Sequence, residues 1–224
     1  MLRTASQWIG FWLLWSLVSF SGLLVDRILF RGTVVAPSLI TLMESWIGTE
    51  GVQVRVFEVV TSGLLGLIDG LLLGLFQWIA IKRKLIAARI WILATTLGFA
   101  VGLITFWSLI IIVVPDRSLL GGPEEWGFGM GLLDSIITGT ALGFAQWLVL
   151  RKKVAKAEWW VVATIVGMVA AWLVRWFVNP LTSYVVLGAI SGIVLTILLF
   201  RKEKDAEQTF TPTDFPLPLS RLDP

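Results

Sequence analysis

GLLLGLFQWIAIKRK (residues 70–84) returns as GTALGFAQWLVLRKK (residues 139–153), at an offset of 69. The shared frame is Gly-x3-Gly-x2-Gln-Trp-x3 followed by a basic triplet. The match continues without a gap through Ala88/Ala157, Trp91/Trp160, Ala94/Ala163, Thr95/Thr164 and Gly98/Gly167 to Trp107/Trp176. Apolar chains coincide easily at Leu, Val and Ile, but rarely at Gln, Trp and a basic triplet in one register. An internal duplication is the reading, and repeats constrain architecture before any single residue does.

The flanking composition says what kind of unit is duplicated. Hydrophobic residues make up 57% of the 224-residue chain, charged residues 15%, and there are thirteen tryptophans. The mean hydropathy is +0.87. The apolar residues come in blocks near or above the roughly 18–20 needed to cross a hydrocarbon core. Runs such as Leu71-Leu72-Leu73 and Ile110-Ile111-Ile112-Val113-Val114 lack the period-two alternation of a membrane β-barrel. The expected class is therefore all-α, a polytopic membrane protein with six transmembrane helices at about 8–30, 58–81, 88–114, 128–150, 158–178 and 182–200.

The repeat groups these spans into pairs, each a Trp-led helix followed by a Gly-rich helix ending in basic residues. Gly188 and Gly192, followed by Arg201-Lys202, mark a degenerate third copy in which Thr196 stands at the position of Trp78 and Trp147. The first helix, with Trp8, Trp12 and Trp15, is the diverged start of the first copy. Three hairpins about a rough threefold axis along the membrane normal is the resulting expectation. Lys and Arg collect on one side (Arg3; Lys82, Arg83, Lys84, Arg89; Arg151, Lys152, Lys153, Lys156; Arg201, Lys202, Lys204). Both termini should therefore be cytoplasmic. Trp8 to Val25, followed by Asp26-Arg27, reads as a retained helix rather than a cleaved signal. Residues 37–46 suggest either a short interfacial helix or an irregular outer loop. Residues 205–224, with Pro212, Pro216 and Pro218, suggest a disordered cytoplasmic tail after a membrane domain at 1–204.

Candidate functional residues are few. Glycines four apart, Gly70 with Gly74, Gly139 with Gly143 and Gly188 with Gly192, let helix backbones approach closely. Their presence in every copy favours packing inside one bundle over a homo-oligomer seam. Gln77 and Gln146 place amides in the apolar region and seek partners, with Thr95 or Thr164 as candidates; the sharper alternative is a polar ring lining a vestibule. Trp8, Trp78, Trp91, Trp147, Trp159 and Trp160 read as an aromatic belt at the interface.

Ionisable residues inside spans are functional candidates by default. Asp69 stands 12 positions before Ile81, and Asp134 and Arg175 each stand 16 positions from a basic helix end. At 1.5 Å per residue those depths are about 18 and 24 Å. Asp134 and Arg175 form either a salt bridge or two independently snorkelling groups.

With no Cys and no His, thiol chemistry and the usual zinc and haem ligands are absent. No catalytic residue, metal site or cofactor site is legible, and the net charge of +3 gives no reason to expect nucleic acid. The repeated frame, over 70–98 and 139–167 with a weaker match from Gly188 to Arg201, resembles a group of uncharacterised bacterial polytopic membrane proteins common in cyanobacteria. That resemblance implies a bacterial membrane, plasma or thylakoid, and carries no activity with it. The expected function is a non-enzymatic accessory, assembly or scaffold subunit, its partners being the lipid bilayer and a membrane complex or further copies of itself. The alternative is a small-solute or ion transporter with Asp69 in the pathway and Asp134/Arg175 as an outer gate.

Overall fold

A computed structural model describes residues 2–26, 28, 52–82, 88–113 and 123–208. It contains six long helices: α1 (Leu2–Asp26), α2 (Val52–Ile81), α3 (Ala88–Val113), α4 (Pro123–Leu150), α5 (Trp159–Phe177) and α6 (Pro180–Gln208). Each carries a window long and apolar enough to cross a membrane. Helix is what an apolar run must form there, because lipid offers no partner for an unpaired backbone N–H or C=O. Pro123 and Pro180 stand at the first position of α4 and α6, where the missing N–H costs nothing. Asn179 caps α6: its Oδ1 accepts the Leu181 N–H at 2.7 Å.

The helices follow one another around a closed ring. Each packs against its neighbours in sequence, and α1 packs against α6. Adjacent helices run antiparallel, as the contacts of their glycines require. Gly66 lies against Ala100 and Gly74 against Ile92, while Gly188 lies against Ser16 and Gly192 against Trp12. Every seam of the ring has such a close approach. Gly22 faces Leu73, Gly70 faces Thr95 and Thr96, Gly98 faces Leu142, Gly139 faces Ile165, and Gly167 faces Leu187. Gly143, one turn beyond Gly139 on α4, faces Val161 and Thr164 of α5, where a Cβ would stand 3.0 Å from Val161 Cα. All six paired glycines (Gly70 and Gly74, Gly139 and Gly143, Gly188 and Gly192) thus lie against neighbouring helices of the same chain. The outer faces carry Leu17, Leu64, Leu93, Phe144, Val166 and Ile193, all exposed, as lipid-facing positions should be.

Helix bounds differ modestly from expectation. Helix α2 begins at Val52 and α4 at Pro123, each about a turn or more earlier than the apolar pattern suggests. Helix α6 continues to Gln208, beyond the expected domain end at 204. Its outer residues still obtain their backbone hydrogen bonds in water, so polarity alone does not end it. Residues 37–46 and 209–224 lie outside the described residues.

Between α4 and α5 the chain turns in residues 151–158, with Lys156 at φ 58°. Val154 and Ala157 point inward and are buried. That left-handed conformation costs a residue with a Cβ roughly 1–2 kcal/mol.

The glycine contacts make a graded test. A Cβ at Gly70 would sit 2.7 Å from Thr95 O and Thr96 Cα, and one at Gly102 would sit 2.7 Å from Thr138 Cα. A Cβ at Gly10 would meet nothing within 4 Å. Gly70→Ala and Gly102→Ala should each cost about 1–3 kcal/mol in detergent unfolding. Gly10→Ala should be neutral or stabilising by about 0.5–1 kcal/mol. Equal effects at the three positions would contradict the packing described.

Candidate functional site

Two layers meet on the axis of the ring. The first is aromatic. Trp15 of α1, Trp91 of α3 and Trp160 of α5 come together with ring centroids 5.9, 5.8 and 5.7 Å apart, two of the pairs edge-to-face. Their exposures are 0%, 0% and 1%. These are core residues, which corrects the aromatic-belt expectation for Trp91 and Trp160. Trp159 is exposed, and Trp78 and Trp147 are partly buried. Lys82 stands over the Trp78 ring and Arg151 over the Trp147 ring, both at 5.1 Å. The inward-pointing residues Ile81, Leu150 and Leu195 pack around the indole trio and are fully buried.

Each indole N–H in this trio must find an acceptor, since none can reach water. Trp91 donates to Gln77 Oε1 and Trp160 to Gln146 Oε1, each at 2.9 Å and each across a sequence separation of 14. Trp15 donates to Ser191 Oγ at 3.1 Å. The amides then tie the ring together on their NH₂ sides. Gln146 Nε2 donates to Thr95 Oγ1 at 2.9 Å and to Gln77 Oε1 at 3.3 Å, and Gln77 Nε2 donates to Ser19 Oγ at 3.3 Å. Gln146 therefore meets Thr95, one of the two threonines expected. Thr164 instead returns its hydroxyl to Trp160 O at 2.8 Å. These amides sit in a closed network rather than lining a vestibule: Gln77 is 5% exposed and Gln146 1%.

The second layer is open. On the side of this plug away from the basic helix ends lies a cavity of about 360 Å³, to which all six helices contribute. Its lining includes Asp69 of α2, Asp134 of α4 and Arg175 of α5, together with the aromatic side chains Trp107, Trp172 and Tyr184. The cavity reaches the end of the ring where α5 stops and α6 begins, since Arg175 and Ser183 both line it. Leu23, Leu73, Phe99, Leu142, Ala171 and Leu187 form an apolar cluster, of which Leu23, Phe99, Ala171 and Leu187 line the cavity.

The structure thus brings together all three ionisable residues singled out from the sequence. Asp69 is 4% exposed and Arg175 is exposed at the rim. Asp134 accepts a hydrogen bond from Thr138 Oγ1 at 2.8 Å, one turn along its own helix. Asp134 and Arg175 also share a second pocket with Trp172 and Trp176, a groove between α4 and α5. No group of three or more His, Cys, Asp or Glu that could hold a metal ion occurs among the described residues.

Sequence reasoning missed the tryptophan trio, the acceptor Ser191 of Trp15, and Ser19, which accepts from Gln77. Trp91 and Trp160 recur with the glutamines, always 14 residues after them, and that joint recurrence was the available signal. Ser19 follows Trp15 by four residues, as Thr95 and Thr164 follow Trp91 and Trp160, so that spacing was a signal; Ser191 on α6 has no counterpart in the repeated frame. No protein-family model, curated protein or solved structure matches the chain.

The hydrogen bond between Trp160 and Gln146 can be isolated by a double-mutant cycle. Trp160→Phe and Gln146→Leu should each destabilise the purified protein, and the pair should be less damaging than the sum by about 1 kcal/mol. Strict additivity would show that the indole and amide do not interact.

Proposed function

We propose that the chain is a small-solute carrier of the membrane whose binding site is the axial cavity. The observation that carries this reading is the convergence of Asp69, Asp134 and Arg175 on one cavity of about 360 Å³ to which every helix contributes. Ionisable side chains at membrane depth are costly, about 2.5–3.5 kcal/mol each on an insertion scale, and their clustering on a shared hollow is what a solute path needs. A cavity open at one end and closed at the other by packed indoles resembles one state of an alternating-access cycle. Opening the far side would require the trio of Trp15, Trp91 and Trp160 to separate.

The ring is best understood as three units of one Gly-rich and one Trp-bearing helix. Supporting this are the equal Trp-to-Gln distances at Trp91/Gln77 and Trp160/Gln146, and the equal cation–π distances at Lys82/Trp78 and Arg151/Trp147. The third unit pairs α6 with α1, with Ser191 as the acceptor in place of a glutamine. The basic ends of the helices, with exposed Lys82, Arg89, Arg151, Lys152 and Lys153, face the cytoplasm of a bacterial cell, and both termini lie on that side. The cavity then opens outward. The apolar outer face fits lipid as readily as a partner helix, so it supplies no separate argument for the accessory-subunit expectation.

Osmotic swelling of proteoliposomes tests the carrier reading before its solute is identified. Across a panel of polyols, amino acids, alkylammonium salts and alkali chlorides, at least one solute should enter faster than in protein-free liposomes. Asp69→Asn should abolish that excess while leaving the unfolding midpoint and near-UV spectrum close to wild type. No excess permeability for any class would sink the proposal.

A further inference from the structure

The charges and aromatic rings of the axial cavity specify what kind of solute it takes. Among the described lining residues there are two carboxylates, Asp69 and Asp134, against one guanidinium, Arg175. They stand at different depths. Gly70 lies against Thr95 and Thr96, Gly98 against Leu142, and Gly102 against Thr138. Asp69 is therefore level with residues of α4 beyond Thr138, whereas Asp134 lies a turn on the other side of Thr138, towards the mouth. The vertical separation is roughly 6–13 Å. Arg175 and Asp134 share the groove between α4 and α5 at that mouth. So one carboxyl and one guanidinium stand together at the rim, while the deeper carboxyl, Asp69, is only 4% exposed.

A carboxyl buried this deeply is costly to ionise alone, and a single positive charge bound beside it would offset that cost. The walls select further. Trp107, Trp172 and Tyr184 line the same space. Indole and phenol faces attract cations through the ring quadrupole and tolerate alkyl groups, a combination suited to substituted ammonium ions. Small hydrated metal ions would want a cage of oxygen ligands instead. The volume, about 360 Å³, sits at the small end of ligand pockets, which run from roughly 300 to 1,000 Å³.

Trp172 has a second feature. Its indole lies directly on Gly131 of α4, where any side chain would displace it. The same ring lines both the axial cavity and the α4–α5 groove. With Asp134 and Arg175 it borders both spaces, and its position depends on the absence of a Cβ at residue 131.

We propose that the axial cavity binds a small organic monocation, a substituted ammonium ion, held between the Asp69 carboxyl and the aromatic rings of Trp172 and Tyr184. This rests on the carrier reading for its biological use, although binding itself does not require transport.

The test is equilibrium binding to the purified full chain in detergent, read by tryptophan fluorescence and isothermal titration. The probes are choline, its neutral isostere 3,3-dimethylbutan-1-ol, acetate and sodium chloride. Choline is expected to saturate a single site, and the neutral isostere to bind at least about tenfold more weakly. Asp69→Asn should weaken choline by at least about tenfold. Trp172→Ala should weaken it by roughly three- to thirtyfold, with Trp172→Phe retaining most of the affinity. Gly131→Ala should weaken choline through displacement of the Trp172 ring. Equal binding of the neutral isostere, preferential binding of acetate, or a sodium site that excludes choline would overturn the assignment on wild-type protein, even if Asp69→Asn fails to fold. Swelling assays with the same probes keep the two readings apart. Choline binding without any solute flux leaves the ligand class and removes the carrier. Flux of a neutral solute without choline binding does the reverse.

Discussion

Three indole N–H groups on the axis of a membrane bundle impose the constraint on which this structure depends. Trp15, Trp91 and Trp160 are large, fully buried and far from water, so each needs an acceptor from another helix. Gln77, Gln146 and Ser191 supply these acceptors from α2, α4 and α6. Each bond therefore joins a Trp-bearing helix to a glycine-rich neighbour. The amide nitrogens extend the network sideways, from Gln146 to Thr95 on α3 and from Gln77 to Ser19 on α1. Individually such bonds contribute about 0.6 kcal/mol in a membrane. Their larger effect is specificity, because a slip of any helix by one turn would strand a buried donor.

Glycine makes that arrangement possible. Indoles can meet on the axis only if the backbones around them come close, and Gly70, Gly98, Gly139, Gly143, Gly188 and their partners allow that. The two features act at different radii: glycines set the spacing between neighbouring helices, and tryptophans fill the axis at one level. The axis is not filled at the other level. Beyond the level of Trp15, Trp91 and Trp160, the lining mixes Asp69, Asp134, Arg175 and hydroxyl side chains with Trp107 and Trp172, and a cavity remains.

Much of this was legible in the chain, and the limits have physical reasons. Membrane class and six helices follow from length and hydropathy, which act locally and need no tertiary knowledge. The glutamines stood out because an amide in an apolar run is rare and its duplicate stood 69 residues away. The depths of Asp69, Asp134 and Arg175 followed from helical rise, but their meeting on one cavity depended on which face of each helix turned inward. Low amphipathicity hides that face, since lipid-facing and core-facing residues are both apolar. The same ambiguity misplaced Trp91 and Trp160. By position they sit close to a basic helix end, where tryptophan commonly marks the interface, and only the ring closure shows that they point to the axis. Ser191 was invisible because a hydroxyl on α6 takes the acceptor role that an amide holds elsewhere in the ring, while Ser19 plays on α1 the part that Thr95 plays on α3.

One half of the axis is a cavity open at its end, and the other half is sealed by indoles. The chain contains no cysteine, so single substitutions can report accessibility without a background to remove. Ser62→Cys, in the cavity lining, and Ser191→Cys, beside Trp15, should be treated with a charged, membrane-impermeant thiol reagent on sealed, oriented vesicles. Cavity and plug together predict rapid modification at residue 62 from the side opposite the basic helix ends, and none at residue 191 from either side. Modification of both at similar rates, or protection of residue 62 from both sides, would contradict them.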